Sequence, residues 1–158
     1  MSFSLIVVEL KSQTLTLFGA EKVKKQYPIS SSKYGIGNRR NSYQTPLGQH
    51  FVCEKMGENA PLNGILRAGK YQGEVAENVS DVQADLITTR VLRLRGLQTG
   101  INLGGEVDSE RRGIWIHGTA QESRIGSAAS HGCIRLRNSD MLELYNLVEI
   151  GSRVEIIP

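Results

Sequence analysis

The chain has 158 residues, enough for one domain whose core needs no disulfide or metal to hold it. Hydrophobic residues at 39% and charged residues at 22% exclude a disordered chain and a membrane-spanning one. A net charge of +3, aromatics at 6% and the lack of any RNA or DNA motif argue against a nucleic-acid partner and suit a small acidic substrate.

The opening run Met1-Ser-Phe-Ser-Leu-Ile-Val-Val-Glu-Leu10 has no basic n-region and is interrupted by Glu9. It reads as a strand and not as a secretory signal, so the expected location is the cytoplasm. Residues 3–10 and 13–18 flank Lys11-Ser12 and predict a hairpin. Lys22 to Ile29, with Val23 and Tyr27 among lysines, predicts a third, partly exposed strand and hence a β-rich fold.

Residues 30–48 are turn formers. Gly35-Ile-Gly37 lacks the G-K-[ST] that would complete a phosphate loop. His50 then falls on a strand, in a structural setting, and Cys53 in Phe51-Val-Cys-Glu reads as buried and inert. Residues 57–84 mix Gly, Asn, Pro and charge without periodicity, and predict a long loop forming one wall of a cleft.

In Asp85 to Arg95, Leu92 and Leu94 alternate with Arg93 and Arg95, as in a strand with one wet face. Gly96 to Gly105 is another turn-rich loop, and Gly113-Ile-Trp-Ile leads into His117 as a buried strand. Asn138-Ser-Asp140, with Glu143 three residues beyond Asp140, predicts a capped helix near 139–149. Met141, Leu144, Tyr145 and Val148 form its apolar face, and Gly151 is its expected stop before a closing strand at 153–157. No second domain or internal repeat is evident, so residues 1–158 read as one domain.

The chemistry gathers in residues 114–138, which hold two of the three histidines and one of the two cysteines. A thiol is a nucleophile only as thiolate, and its ordinary pKa of roughly 8.5 leaves it mostly protonated near neutrality. Cys133 therefore needs a base. His117, at a strand end, is placed for that role, whereas His131 lies two residues from the cysteine and is better suited to shaping the site. The amides of Ser130-His131-Gly132-Cys133 can be gathered by a tight turn into an oxyanion hole. The alternative is a metal site of His117, His131 and Cys133 with Cys53 or His50, but no paired C-x-x-C or H-x-x-x-H spacing supports it. No metal or cofactor is expected.

His117-Gly-Thr, the Gly126-containing spacer and Ser130-His-Gly-Cys133-Ile-Arg135-Leu-Arg-Asn138 resemble the signature of the L,D-transpeptidase catalytic domain, the YkuD family. Thr45-Pro46-Leu47-Gly48 is similar to a family loop that precedes a central strand. The resemblance implies a mainly β domain of two packed or barrel-like sheets with one main helix. It implies Cys133 as the acylated nucleophile, His117 as general base with its ring oriented by the Gly118 carbonyl, and an oxyanion segment at His131, Gly132 and the Cys133 amide. Arg135 and Asn138 match polar residues lining the family's site, and Arg135 is placed to meet a peptide carboxylate. One departure is the lack of a tyrosine just before His117, where some members supply an oxyanion donor; Thr99 or a backbone group would substitute.

The family's chemistry implies attack on the bond between the L-centre of diaminopimelate and a terminal D-alanine in peptidoglycan tetrapeptides, and acylation by carbapenems. A cytoplasmic location points to an L,D-carboxypeptidase or D-amino-acid exchange enzyme acting on soluble muropeptides in recycling. Export would instead favour 3-3 cross-linking of the wall by L,D-transpeptidation. The non-enzymatic alternative is a muropeptide-binding module.

Overall fold

The computed structural model describes residues 3–20, 23–76 and 85–158. Among the described residues ten strands form one sheet: β1 (Phe3–Glu9), β2 (Thr14–Phe18), β3 (Val23–Pro28), β4 (Gly48–Met56), β5 (Gly64–Arg67), β6 (Lys70–Val75), β7 (Ile87–Gly96), β8 (Trp115–Thr119), β9 (Ile134–Leu136) and β10 (Val148–Ile157). The order is β3-β2-β1-β10-β4-β7-β5-β6, with β8 pairing β7 and β9. The sheet curls back on itself. Beyond β3, Ser30 exchanges two backbone bonds of 2.9 Å with Arg135 of β9, which brings the two ends of the ring together. The barrel-like form of the expectation therefore holds, and the two sheets are one.

Strand period and burial agree. Ile6 and Val8 of β1, Leu15 and Leu17 of β2, and Leu92 and Leu94 of β7 all turn inward and are fully buried. They meet Ile114, Ile116, Ile134 and Leu136 from the segment around the motif. The predicted hairpin forms with Leu5 opposite Phe18 and Glu9 opposite Thr14. The third predicted strand is β3; the first residue of the expected run, Lys22, lies outside the described residues.

The expected loop at 57–84 is corrected in part: β5 and β6 form a hairpin within it, while residues 77–84 lie outside the described residues. Much of β6 is exposed, with only Tyr71 and Val75 partly buried, too little to leave a period in the sequence. The hairpin's Leu66 and Tyr71 join Ala60, Val91, Met56, Ile87 and Trp115 in a second apolar cluster.

One α-helix, α1 (Asn138–Leu147), lies against β7 and β8, among the described residues. Met141, Leu144 and Tyr145 are buried as expected. Its start differs from the expected capping box: no side chain of the first turn caps it, and the Asn138 amide instead donates to Glu122 Oε2 at 2.6 Å. A carboxylate from a neighbouring loop thus meets the positive end of the helix. Gly151 is not the stop either. The helix ends at Leu147, β10 begins at Val148, and Gly151 lies within β10.

Candidate active site

β8 and β9 run parallel with Ile116 opposite Ile134, His117 opposite Arg135 and Gly118 opposite Leu136. Alternation along each strand sends Ile116, Ile134 and Leu136 into the core. Trp115, His117, Cys133 and Arg135 therefore share the other face. The fifteen residues between His117 and Cys133 are thus closed into a loop by strand pairing, which sets the two side chains on one face.

His117 is 1% exposed, and its Nδ1 lies 2.6 Å from the Gly118 carbonyl. A carbonyl can only accept, so Nδ1 carries the proton and Nε2 holds the basic lone pair. Burial lowers the pKa of the ring below the usual histidine value, opposed by Asp85 and the Gly118 bond. The ring is therefore neutral near pH 7 and able to take a proton. Gly118 is required at its position: a Cβ there would meet Thr88 O at 2.5 Å and Asn138 Oδ1 at 2.7 Å.

The Cys133 thiol donates to Gly113 O at 3.2 Å and accepts from the Trp115 amide at 3.4 Å. Desolvation pushes its pKa up to about 11, against the Trp115 bond and the positive charges of Arg135 and Arg112. At neutral pH the sulfur is a thiol. Among the described residues no hydrogen bond joins it to the His117 ring; the thiol keeps its proton and directs it at the Gly113 carbonyl.

Ser130 shapes the turn. Its hydroxyl donates to Cys133 O at 2.7 Å and accepts from the Gly132 amide at 3.2 Å. The Gly132 amide is therefore spent, and of the expected oxyanion donors the His131 and Cys133 amides are those with no acceptor among the described residues. Gly132 has φ +127, and a Cβ there would sit 3.3 Å from Ile114 Cδ1 and 3.4 Å from Gln44 O, so only glycine fits without adjustment. Thr45 fixes the same turn from the far side of the chain, donating to Gly132 O at 3.0 Å while accepting from the Ser32 amide at 3.0 Å. Thr45 was visible only as part of the Thr-Pro-Leu-Gly loop; its grip on residue 132 spans the sequence and leaves no local signal.

His131 is turned away from the core. Its ring lies 5.9 Å from that of Tyr34 and 6.3 Å from that of Tyr43, centre to centre, and its Nδ1 is 3.6 Å from Asp85. These two exposed tyrosines stand beside the reactive turn, although none precedes His117 in sequence. Thr99, the other suggested substitute, pairs with Leu103 in its own loop.

Arg135 and Asn138 are committed to the protein. The Arg135 side chain is 1% exposed, with Nη1 donating to Asp85 at 3.0 Å and to Gln121 at 2.8 Å. Its Nη2 donates to Ser30 Oγ at 3.4 Å, and its buried Nε has no partner among the described residues. The Asn138 side chain accepts from Thr88 and Thr89 and donates to Thr119 O and Glu122.

The remaining candidate ligands stand apart from this face. His50 is fully buried, bonded through Nδ1 to Gly48 O and through Nε2 to Ser109 Oγ, and burial takes its pKa down to about 4. Cys53 is half-buried and not fully enclosed as expected; its thiol donates to Arg93 O at 3.4 Å, and desolvation raises its pKa. Beside Trp115, a cavity of about 380 Å³ is bounded by Glu54, Met56, Arg93 and the tip of the β5–β6 hairpin, Ala68 to Lys70.

The sequence model of one family, the L,D-transpeptidase catalytic domain (YkuD), matches residues 4–156. The chain belongs to that family. The L,D-transpeptidase domain is 51% identical over 151 residues to YkuD of Bacillus subtilis strain 168, whose name places it among the L,D-transpeptidases; the match covers 96% of this chain and 64% of that protein. The chain thus spans under two thirds of that relative's length. In fold, the domain is similar to an L,D-transpeptidase from Mycobacterium smegmatis, with TM-score 0.63 and 17% identity, covering 99% of this chain and 59% of that one. It is also similar to L,D-transpeptidase 3 from Mycobacterium tuberculosis in complex with a faropenem-derived adduct, with TM-score 0.55 and 18% identity over 98% of this chain and 61% of that one.

Proposed function

We propose that this L,D-transpeptidase domain transfers the acyl group of a peptidoglycan tetrapeptide through Cys133, breaking the bond between the L-centre of diaminopimelate and the terminal D-alanine. The observation that carries this reading is the parallel pairing of β8 with β9, which puts a neutral, carbonyl-anchored His117 on the same sheet face as the Cys133 thiol. The thiol swings from Gly113 O, and its proton passes to His117 Nε2. The sulfur attacks the carbonyl carbon, and the oxyanion is met by the Cys133 amide. The C–N bond then breaks, His117 returns the proton to the departing D-alanine amine, and a thioester remains on Cys133.

An amine that attacks the thioester gives transpeptidation, and water gives L,D-carboxypeptidase activity. For the second we propose trimming of soluble muropeptides in the cytoplasm. Fractionation of the producing cells tests the location.

A faropenem-derived adduct on the Mycobacterium tuberculosis neighbour supports the proposal that β-lactams of the carbapenem and penem classes acylate Cys133 here. Mass spectrometry after incubation with a carbapenem should add the drug's mass to the native chain and not to Cys133→Ala. A tetrapeptide incubated with the native protein should lose D-alanine. Binding of the tetrapeptide without D-alanine release, without cross-linked product and without a drug adduct would replace the enzyme with a muropeptide-binding module.

A further inference from the structure

Arg112 lies immediately before the glycine whose carbonyl holds the thiol. Its half-buried guanidinium donates from Nη1 to Gly37 O at 3.3 Å, and from Nη2 to Gln44 O at 2.6 Å and Ser42 Oγ at 3.3 Å. These acceptors are neutral. Arg67, Arg93, Arg95 and Arg135 each pair with a carboxylate, whereas among the described residues no carboxylate lies within ion-pair distance of Arg112, Arg111 or Arg40. Three of the five N–H donors of Arg112 fix its plane, and two are left for another group.

Arg112, Arg111 and Arg40 line a cavity of about 180 Å³ with Gly105 and Asp108. The Asp108 carboxylate is turned into its own loop: Oδ1 accepts from the Arg111 amide at 2.9 Å and Oδ2 from the Gly104 amide at 2.8 Å. Three guanidinium groups thus face one carboxylate that backbone amides already serve. A pocket with that excess of positive charge, one of its guanidinium planes fixed, matches a carboxylate, which guanidinium binds through two parallel hydrogen bonds.

Arg112 links this cavity to the turn at Gly132. Gln44 O, held by Arg112, is the atom 3.4 Å from the Cβ position of Gly132, and Gly113 O accepts from the Cys133 thiol. The charge of Arg112 acts on the sulfur, lowering the Cys133 pKa against its burial. We propose that Arg112, Arg111 and Arg40 form the subsite that holds a free carboxylate of the peptide whose acyl group Cys133 accepts. This assignment rests on the acyl-transfer reading above and gives that site its acidic-substrate specificity. Two carboxylates have this chemistry: the C-terminal one of the departing D-alanine, and the free one at the D-centre of diaminopimelate.

Calorimetric titration of the Cys133→Ala protein with three tetrapeptides tests the subsite without turnover: the acid form, the C-terminal amide, and the form amidated at the diaminopimelate D-centre. One amide should bind roughly ten- to a hundredfold more weakly than the acid, the loss expected when a charged hydrogen-bonding partner is removed. The arm that weakens identifies the carboxylate. Added to Cys133→Ala, Arg112→Gln should abolish the difference between acid and amide, and the exposed Arg111→Gln and Arg40→Gln should reduce it; a far-UV circular-dichroism spectrum and thermal melt matching those of Cys133→Ala report an intact fold. Equal binding of all three peptides, no saturable binding of the acid, or discrimination that survives Arg112→Gln would overturn the subsite. Turnover by the native protein separates the two ideas. Discrimination without D-alanine release defeats the acyl-transfer reading alone, and release of the terminal residue at equal rates from acid and amides defeats the subsite alone.

Discussion

Replacing Asn138 with alanine should destabilise the fold far more than it affects substrate affinity. The side chain is 4% exposed and makes four bonds: its oxygen accepts from Thr88 Oγ1 at 2.5 Å and Thr89 Oγ1 at 2.6 Å, and its nitrogen donates to Thr119 O at 2.8 Å and Glu122 Oε2 at 3.0 Å. Both threonines are fully buried, so their hydroxyls cannot turn to water when the partner is removed. At roughly 1 kcal/mol net for each bond, and more for the one to a carboxylate, the loss comes to about 4 kcal/mol. That is a large part of the roughly 5–15 kcal/mol that holds a typical domain together. Urea unfolding followed by far-UV circular dichroism measures it, and Asn138→Asp, which sets a second carboxylate against Glu122, should be at least as damaging. A loss under about 1 kcal/mol for Asn138→Ala, accompanied by a raised KM, would refute the reasoning and return Asn138 to the substrate.

Because His117 is neutral through neutrality, kcat/KM for acylation should hold steady from pH 7.5 down to 6.5 and fall only as the ring protonates below its ordinary value of about 6.5. A rate that instead keeps climbing toward about pH 11, where the buried Cys133 thiol ionises unaided, would remove His117 as base. His50, with its pKa taken down to about 4, binds its proton more readily in the unfolded chain, so stability present above pH 6.5 is lost as pH falls toward 4. The loss should reach about 3 kcal/mol in urea titrations, and a histidine-to-glutamine change at 50 should flatten that portion of the pH profile. Gly118→Ala should cost about 3 kcal/mol of stability and most of the activity, since the new methyl meets Thr88 O and Asn138 Oδ1 while the same residue's carbonyl orients His117. Thermal melts together with the rate of carbapenem acylation measure the two effects, and an active, undisturbed variant would show the packing argument wrong.

Much of the fold was legible because strand burial writes itself into the sequence with period two. Leu92 and Leu94 are buried while Arg93 and Arg95 face water, and β7 is where the alternation placed it. The β5–β6 hairpin left no such trace, since much of β6 is solvent-exposed. The ends of α1 were misread for a different reason: Glu122, sixteen positions before Asn138, supplies the cap, and β10 takes over at Val148 with no need of Gly151. In the site, the arrangement of His117, Gly118 and Cys133 followed from the motif and its family resemblance. Arg135 and Asn138 belong to the same motif, but whether a polar side chain faces a ligand or the protein depends on its depth, and that is set by Asp85, Thr88, Thr89 and Glu122 arriving from elsewhere. Arg112 carried no signal at all, because its acceptors lie some seventy residues earlier.

The seam at Ser30 and Arg135 joins the first meander of the chain to a strand assembled near its end. On the acyl-transfer reading proposed above, an unravelled sheet would leave the Cys133 thiol without the imidazole that the paired strands set on its face.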